Sequence, residues 1–131
     1  EAILRLSRVG FDNIKGYLSG GIKSWIEANK NVKSIENIDP KDFATLYSKN
    51  DLNILDVRSK SENNVSSIRE SLNIPLINLK DSIESINEKN KLYIHCKGGY
   101  RSMIACSILN SKSKTNIVNI KGGFGKISTL I

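Results

Sequence analysis

The sequence predicts an α/β domain with a mainly parallel sheet covered by helices on both faces. Three observations carry this prediction: short apolar runs long enough only for buried strands, apolar residues at helical spacing between them, and glycine or Asp-Pro breaks at the junctions. Strands of this kind alternating with helices imply βαβ units, whose crossovers put helices on both sides of the sheet. The 131 residues make about one domain. Charged residues at 25% and the apolar set at 39% are ordinary for a globular chain.

Taken in order, Ile14 to Leu18 is a short apolar stretch ending at Ser19-Gly20-Gly21, and Ile22, Trp25 and Ile26 follow at helical spacing. Asp39-Pro40 is a helix start, since Asp accepts from free amides and Pro suits the first turn. Phe43, Leu46 and Tyr47 then form an apolar face. Leu52 to Val57 reads as a buried strand, Asn73-Ile74-Pro75 as the end of another, and Leu79, Ile83 and Ile86 repeat at helical spacing. Leu92 to His95 is a third buried strand, Ser102 to Leu109 a helix, and Asn116 to Ile120 a last strand before Gly122-Gly123 and a final helical turn. Ile14 to Ile22 echoes Val118 to Phe124: each reads as an apolar strand, a Gly-Gly break and an apolar residue opening a helix. Residues 1 to about 30 therefore read as the tail of a preceding repeat, and the start at Glu1 as an excerpt of a longer protein.

Several function classes are disfavoured. No apolar run approaches the roughly 20 residues of a membrane-spanning helix, and Glu1 to Ser7 lack the marks of a signal peptide. The formal charge of +7 comes from Lys and Arg interleaved with Asp and Glu, and only 6% of residues are aromatic. Nucleic-acid binding, which needs a basic patch with stacking platforms, is therefore not expected. The cationic surface suits small anions instead. Cys96, Cys106 and His95 are too few for a structural zinc site or a disulfide framework. A reducing, cytoplasmic setting follows, in which a cysteine is more often a working thiol or plain core filler, and no structural metal is expected.

The chemistry is concentrated in Leu92 to Ser102. A buried strand delivers Cys96 at its carboxyl end, where parallel sheets bind ligands. A glycine loop follows and a helix opens at about Arg101-Ser102, so amides and a positive helix end face the sulfur. Lys97 and Arg101 add positive charge. All of this favours thiolate and makes Cys96 the candidate nucleophile. Lys97 to Ser102 form an anion-binding loop: Gly98 and Gly99 shape it, Lys97 and Tyr100 line its mouth, Arg101 helps hold an anion, and Ser102 caps the helix or donates to the sulfur's charge. Asp56 and Arg58 form a supporting ion pair. Alternation along the strand turns His95 away from Cys96, and Cys106 falls on the core side of its helix.

These residues resemble the rhodanese family. Its active loop, a Cys, four residues and an Arg, stands here as Cys96-Lys97-Gly98-Gly99-Tyr100-Arg101. Asp56-Val57-Arg58, Glu62, Asn73-Ile74-Pro75 and Ile120 to Phe124 match in the expected order, so the resemblance covers residues 35 to 131. It implies a three-layer α/β/α rhodanese-like fold. It also implies a thiosulfate or persulfide sulfurtransferase in which Cys96 takes a sulfane sulfur from a small anionic donor and passes it to a thiol or cyanide. Relatives place Gly-His-Ile where this chain has Ser66-Ser67-Ile68, a departure outside the sulfur chemistry. Phosphatases of the same architecture place five residues between Cys and Arg, and four make a loop sized for one sulfur atom rather than a phosphate. A non-catalytic binding module is the main alternative, and a cysteine phosphatase or arsenate reductase a further one. Arg8 to Gly21 resembles the end of the repeat in metallo-β-lactamase–rhodanese fusion proteins of sulfide detoxification. That resemblance implies a stub or linker over residues 1–33, a rhodanese domain over 34–131 and further domains as partners. Whether the stub packs on its own domain or pairs two copies as a homodimer is left open by the sequence.

Overall fold

In a computed structural model, which describes residues 1, 3–4, 13–87 and 90–131, the chain divides into two units, Glu1–Ser34 and Ile35–Ile131. In the first, helix α1 spans Gly21–Glu27 and buries none of its residues. Trp25 Nε1 donates to the Asn31 carbonyl at 2.9 Å and ties the end of the helix to the chain that follows. Gly20, at φ 76°, supplies the left-handed turn that starts α1. The strand expected over Ile14–Leu18 is not formed. A strand needs a ladder partner, and these residues have none among the described residues, whereas their counterpart at the end of the chain is paired on both sides. The rest of the stub motif, Arg8 to Asp12, lies outside the described residues.

The second unit carries a five-stranded sheet in the order β1-β5-β4-β2-β3: β1 Glu36–Ile38, β2 Asn53–Asp56, β3 Leu72–Asn73, β4 Leu92–His95 and β5 Ile117–Ile120. Every pairing is parallel. The covering elements are α2 Pro40–Tyr47, α3 Lys60–Val65, a 3-10 helix over Leu76–Ser85, α4 Tyr100–Ser111 and α5 Phe124–Ile127. Asp39-Pro40 does start α2, with Pro in the first turn, but the Asp39 carboxylate accepts from no amide of the helix and pairs instead with Lys121 Nζ at 3.2 Å. The segment carrying Leu79 and Ile83 winds as a 3-10 rather than an α-helix, and both residues are buried. A spacing of three to four serves either winding.

Alternation along the strands sorts the core into two layers. On one face Leu55, Leu92, Ile94 and Cys96 pack with Leu79 and Ile83 of the 3-10 helix and with Ala105, Cys106 and Leu109 of α4. On the other, Ile54 and Ile120 pack with Phe43 of α2 and Ile127 of α5, with Tyr93 against them. This is the α/β/α architecture expected. No helix among the described residues is long and apolar enough to cross a membrane.

Candidate active site

Cys96 follows β4 directly and is 1% exposed, on the α4 face of the sheet. The chain then turns over its own sulfur. The Gly99 N–H donates to Cys96 Sγ at 3.1 Å, and Ser102 Oγ lies 3.6 Å from Sγ. Gly99 sits at φ 103°, a left-handed angle that lets the loop run straight into α4. Helix α4 therefore begins at Tyr100, two residues before the expected start. Ser102 lies inside the first turn and does not cap the helix; its hydroxyl donates to the Gly99 carbonyl at 3.0 Å. That hydroxyl has a single proton. With the thiol protonated it serves Gly99 and accepts from Cys96; with the thiolate it turns to donate to sulfur.

Burial alone would push the Cys96 thiol up. The Ser102 hydroxyl and the amides of Ser102, Gly99 and Gly98 outweigh it and hold the thiol below its ordinary value. Hydrogen-bond donors lead the effect, and Arg101 interacts with the sulfur through charge alone. Arg101 is engaged elsewhere: its two terminal nitrogens donate to Glu62 at 2.6 and 2.8 Å. Glu62 is itself held by the start of α3, accepting from Ser59 N at 3.1 Å while Ser59 Oγ accepts from Glu62 N at 3.2 Å. The bidentate guanidinium keeps Glu62 ionised down to about 2. Glu62 matched a motif in the sequence but was given no role there. Its partner lies 39 residues away, a distance that hides the pair.

A second layer holds the loop from behind. Phe124 N donates to the Cys96 carbonyl at 2.7 Å and Gly125 N to the Lys97 carbonyl at 3.0 Å. With those carbonyls tied back, the loop amides are left to face the sulfur. Gly123 makes the approach possible. Its φ of 55° and ψ of −157° lie in a region that essentially only glycine occupies. A Cβ there would overlap the Cys96 carbonyl and lie 2.9 Å from the Lys97 oxygen. The Phe124 ring in turn lies under the Arg58 guanidinium, 4.0 Å from its carbon.

Arg58 NH2 reaches Asp56 Oδ2 at 2.6 Å and the Ser66 carbonyl at 2.8 Å, and Asn63 and Asn73 complete the Asp56–Arg58 surroundings. Burial opposes the Asp56 charge, but Arg58 above all keeps its carboxyl low. The motifs met separately in the sequence thus join into one brace behind Cys96. His95 is buried on the opposite face, its ring stacked on Phe124 at 6.1 Å, with Nδ1 3.9 Å from Asp56 Oδ1. Burial pulls its pKa down. Cys106 is fully buried, and desolvation pushes it up to about 12.

Beside Arg101 the mouth is a cavity of about 340 Å³ lined by Val57, Ser59, Pro75, Leu76, Ile77 and Arg101; Lys97 and Tyr100, expected to line it, are not in its lining. Lys97 and Gly98 are exposed on its loop, and Tyr100 is 81% exposed. Among the described residues no group of three or more His, Cys, Asp or Glu could hold a metal ion.

The family model for the rhodanese-like domain matches residues 39–129. The protein YqhL of Bacillus subtilis is 31% identical over 105 residues, covering 80% of this chain and 79% of that protein. A tRNA uridine(34) hydroxylase of Pelagibacter ubique is 31% identical over 99 residues, covering 73% of this chain. This chain spans only 33% of the hydroxylase. Among solved structures, a Rhodopseudomonas palustris protein described as a possible tyrosine phosphatase superposes with a TM-score of 0.68 at 26% identity, covering 89% of this chain and 96% of that one. Strands β2 to β5, the brace and the cysteine loop lie together in the matched stretch, and the chain belongs to the rhodanese-like domain family.

Proposed function

We propose that this chain is a sulfurtransferase that carries sulfane sulfur on Cys96. The observation that carries the reading is a buried thiol, held toward thiolate by the Gly99 amide at 3.1 Å and by Ser102, at the end of a central parallel strand. The thiolate attacks the outer sulfur of thiosulfate or of a low-molecular-weight persulfide. A new S–S bond forms at Cys96 while the donor's own bond breaks, and sulfite or a thiolate leaves with the electron pair. An acceptor thiolate, or cyanide in an assay, then attacks the terminal sulfur and returns Cys96 as thiolate. The loop amides stabilise the terminal charge throughout. No cofactor takes part. The setting is cytoplasmic sulfide and persulfide metabolism, with this chain as one part of a longer fusion protein.

The phosphatase description of the R. palustris protein supports a second reading, cysteine phosphatase. Two features weigh against it: four residues rather than five between Cys96 and Arg101, and an Arg101 already occupied by Glu62. Intact mass after thiosulfate, and after glutathione persulfide, tests the proposal. One added sulfur atom is expected, absent in Cys96→Ser and removed by cyanide. No gain with either donor overturns it, and turnover of a phosphotyrosine mimic would favour the second reading.

A further inference from the structure

The Cys96 chemistry leaves one face of α4 unused. Ser102, Ala105, Cys106 and Leu109 turn inward, yet Met103 and Ile104 stay 37% and 38% exposed on the outside. A helix that is apolar on both sides ordinarily lies between two partners. Here a groove of about 750 Å³ runs along the outer face, with Tyr100, Met103, Ile104 and Ile108 on one wall and Lys80 of the 3-10 helix and Lys112 in its lining. That volume lies within the roughly 300–1,000 Å³ of small-molecule sites.

The groove and the cavity beside Arg101 are bordered by the same two elements, α4 and the 3-10 helix. Tyr100 lines the groove while its neighbour Arg101 lines the mouth. On the facing wall Ile77 lines the mouth and Lys80 the groove, and residues three apart on a 3-10 helix eclipse one another, so one ridge borders both. From Tyr100 to Lys112 the helix advances about 18 Å. Both charged side chains of the lining are lysines. The groove is therefore apolar along Met103, Ile104 and Ile108, with Ser107 and Ser111 also in its lining, and its charged groups are cationic.

We propose that this groove holds the body of an extended thiol that exchanges sulfur with Cys96: thiol end at the mouth, weakly polar arm along Met103, Ile104 and Ile108, and anionic groups at Lys80 and Lys112. The proposal rests on Cys96 as the sulfur carrier. The bound thiolate attacks the terminal sulfur of the Cys96 persulfide, the Cys96–sulfur bond breaks with its electron pair returning to Cys96, and the thiol's proton goes to solvent. A compact donor such as thiosulfate ends at the mouth and never reaches the groove.

Coenzyme A serves as the long anionic probe and 2-mercaptoethanol as the short neutral one. S-methyl coenzyme A, which cannot accept sulfur, is titrated calorimetrically into the wild type and into the double variant Lys80→Glu/Lys112→Glu. Saturable binding that weakens about tenfold in the variant is expected. In acceptor kinetics after thiosulfate loading, the KM for coenzyme A rises about tenfold while those for 2-mercaptoethanol and thiosulfate hold. Absence of saturable binding, or equal effects on both acceptors, overturns the proposal. So does a wild-type dimer dissociated by Ile104→Glu, which would give the face to a second copy, or an acidic peptide binding there more tightly than the coenzyme. If Cys96 takes no sulfur from any donor, the sulfurtransferase reading fails while the titration still decides the groove.

Discussion

Replacing Gly123 with Ala tests the brace behind the cysteine loop without touching any reacting atom. The backbone there sits in a region nearly closed to other residues, which costs an alanine about 1–3 kcal/mol. Its Cβ would also strike the Cys96 carbonyl and crowd the Lys97 carbonyl. Both obstacles are backbone, so relief requires the two strand-end loops to separate. That would weaken the hydrogen bonds from Phe124 N and Gly125 N, each worth about 1 kcal/mol net. Together the loss is about 3–5 kcal/mol, read as a lower urea midpoint at constant slope. Loop amides released from this geometry also stop facing the sulfur, so the Cys96 thiol moves up toward its ordinary value in an ultraviolet thiolate titration. A Gly123→Ala protein within about 0.5 kcal/mol of wild type, the spread of neutral surface changes, and with an unmoved thiol titration, would refute the brace.

Four other outcomes are expected. Ser102→Ala removes the leading donor to the thiolate; a hydrogen bond to a charged group is worth about 1.5–3 kcal/mol, so sulfur loading at neutral pH falls about tenfold and its rise with pH shifts upward. Iodoacetamide at neutral pH modifies one cysteine in the native protein and two after denaturation, because Cys106 is buried with its thiol near 12; a second native adduct counts against this. Asp56→Asn leaves Arg58 buried without its counter-charge and destabilises by about 3–5 kcal/mol, measured by urea unfolding. Glu62 has its folded pKa depressed from 4.5 to about 2, so its contribution is full above 4.5 and lost as pH falls toward 2; Glu62→Gln flattens the stability slope across that window.

What the sequence made legible is what chain-local chemistry controls. The central strands are apolar runs because both sheet faces are covered, and the loop around Cys96 stands out because strand, glycines and helix follow one another directly. Strand β1 escaped notice: it is three residues at the sheet edge, two of them polar, with no periodicity to read. Helix α3 buries nothing, so no apolar stripe marks it, although its Ser59 and Glu62 carry the capping-box spacing that could have found it. The partner of Arg101 and the place of Ser102 were hidden from the sequence for different reasons. The first depends on a carboxylate far away in the chain, the second on a glycine angle that moves the helix start by two residues. Gly123 read as half of a Gly-Gly break, and its contact with Cys96 exists only once β4 and β5 lie side by side.

The sheet order has a consequence for how the thiol comes into being during synthesis. Strand β5 sits between β1 and β4, so the last strand made is wedged into the middle of the sheet rather than added at its rim. Until residues 117–125 have emerged, β1 lacks its neighbour and the carbonyls of Cys96 and Lys97 lack their donors. A nascent chain stalled near residue 115 would carry the cysteine, the loop glycines and all of α4, yet lack the Phe124 and Gly125 amides that tie the loop carbonyls back. The support of the cysteine loop is thus the last part of the site to be made.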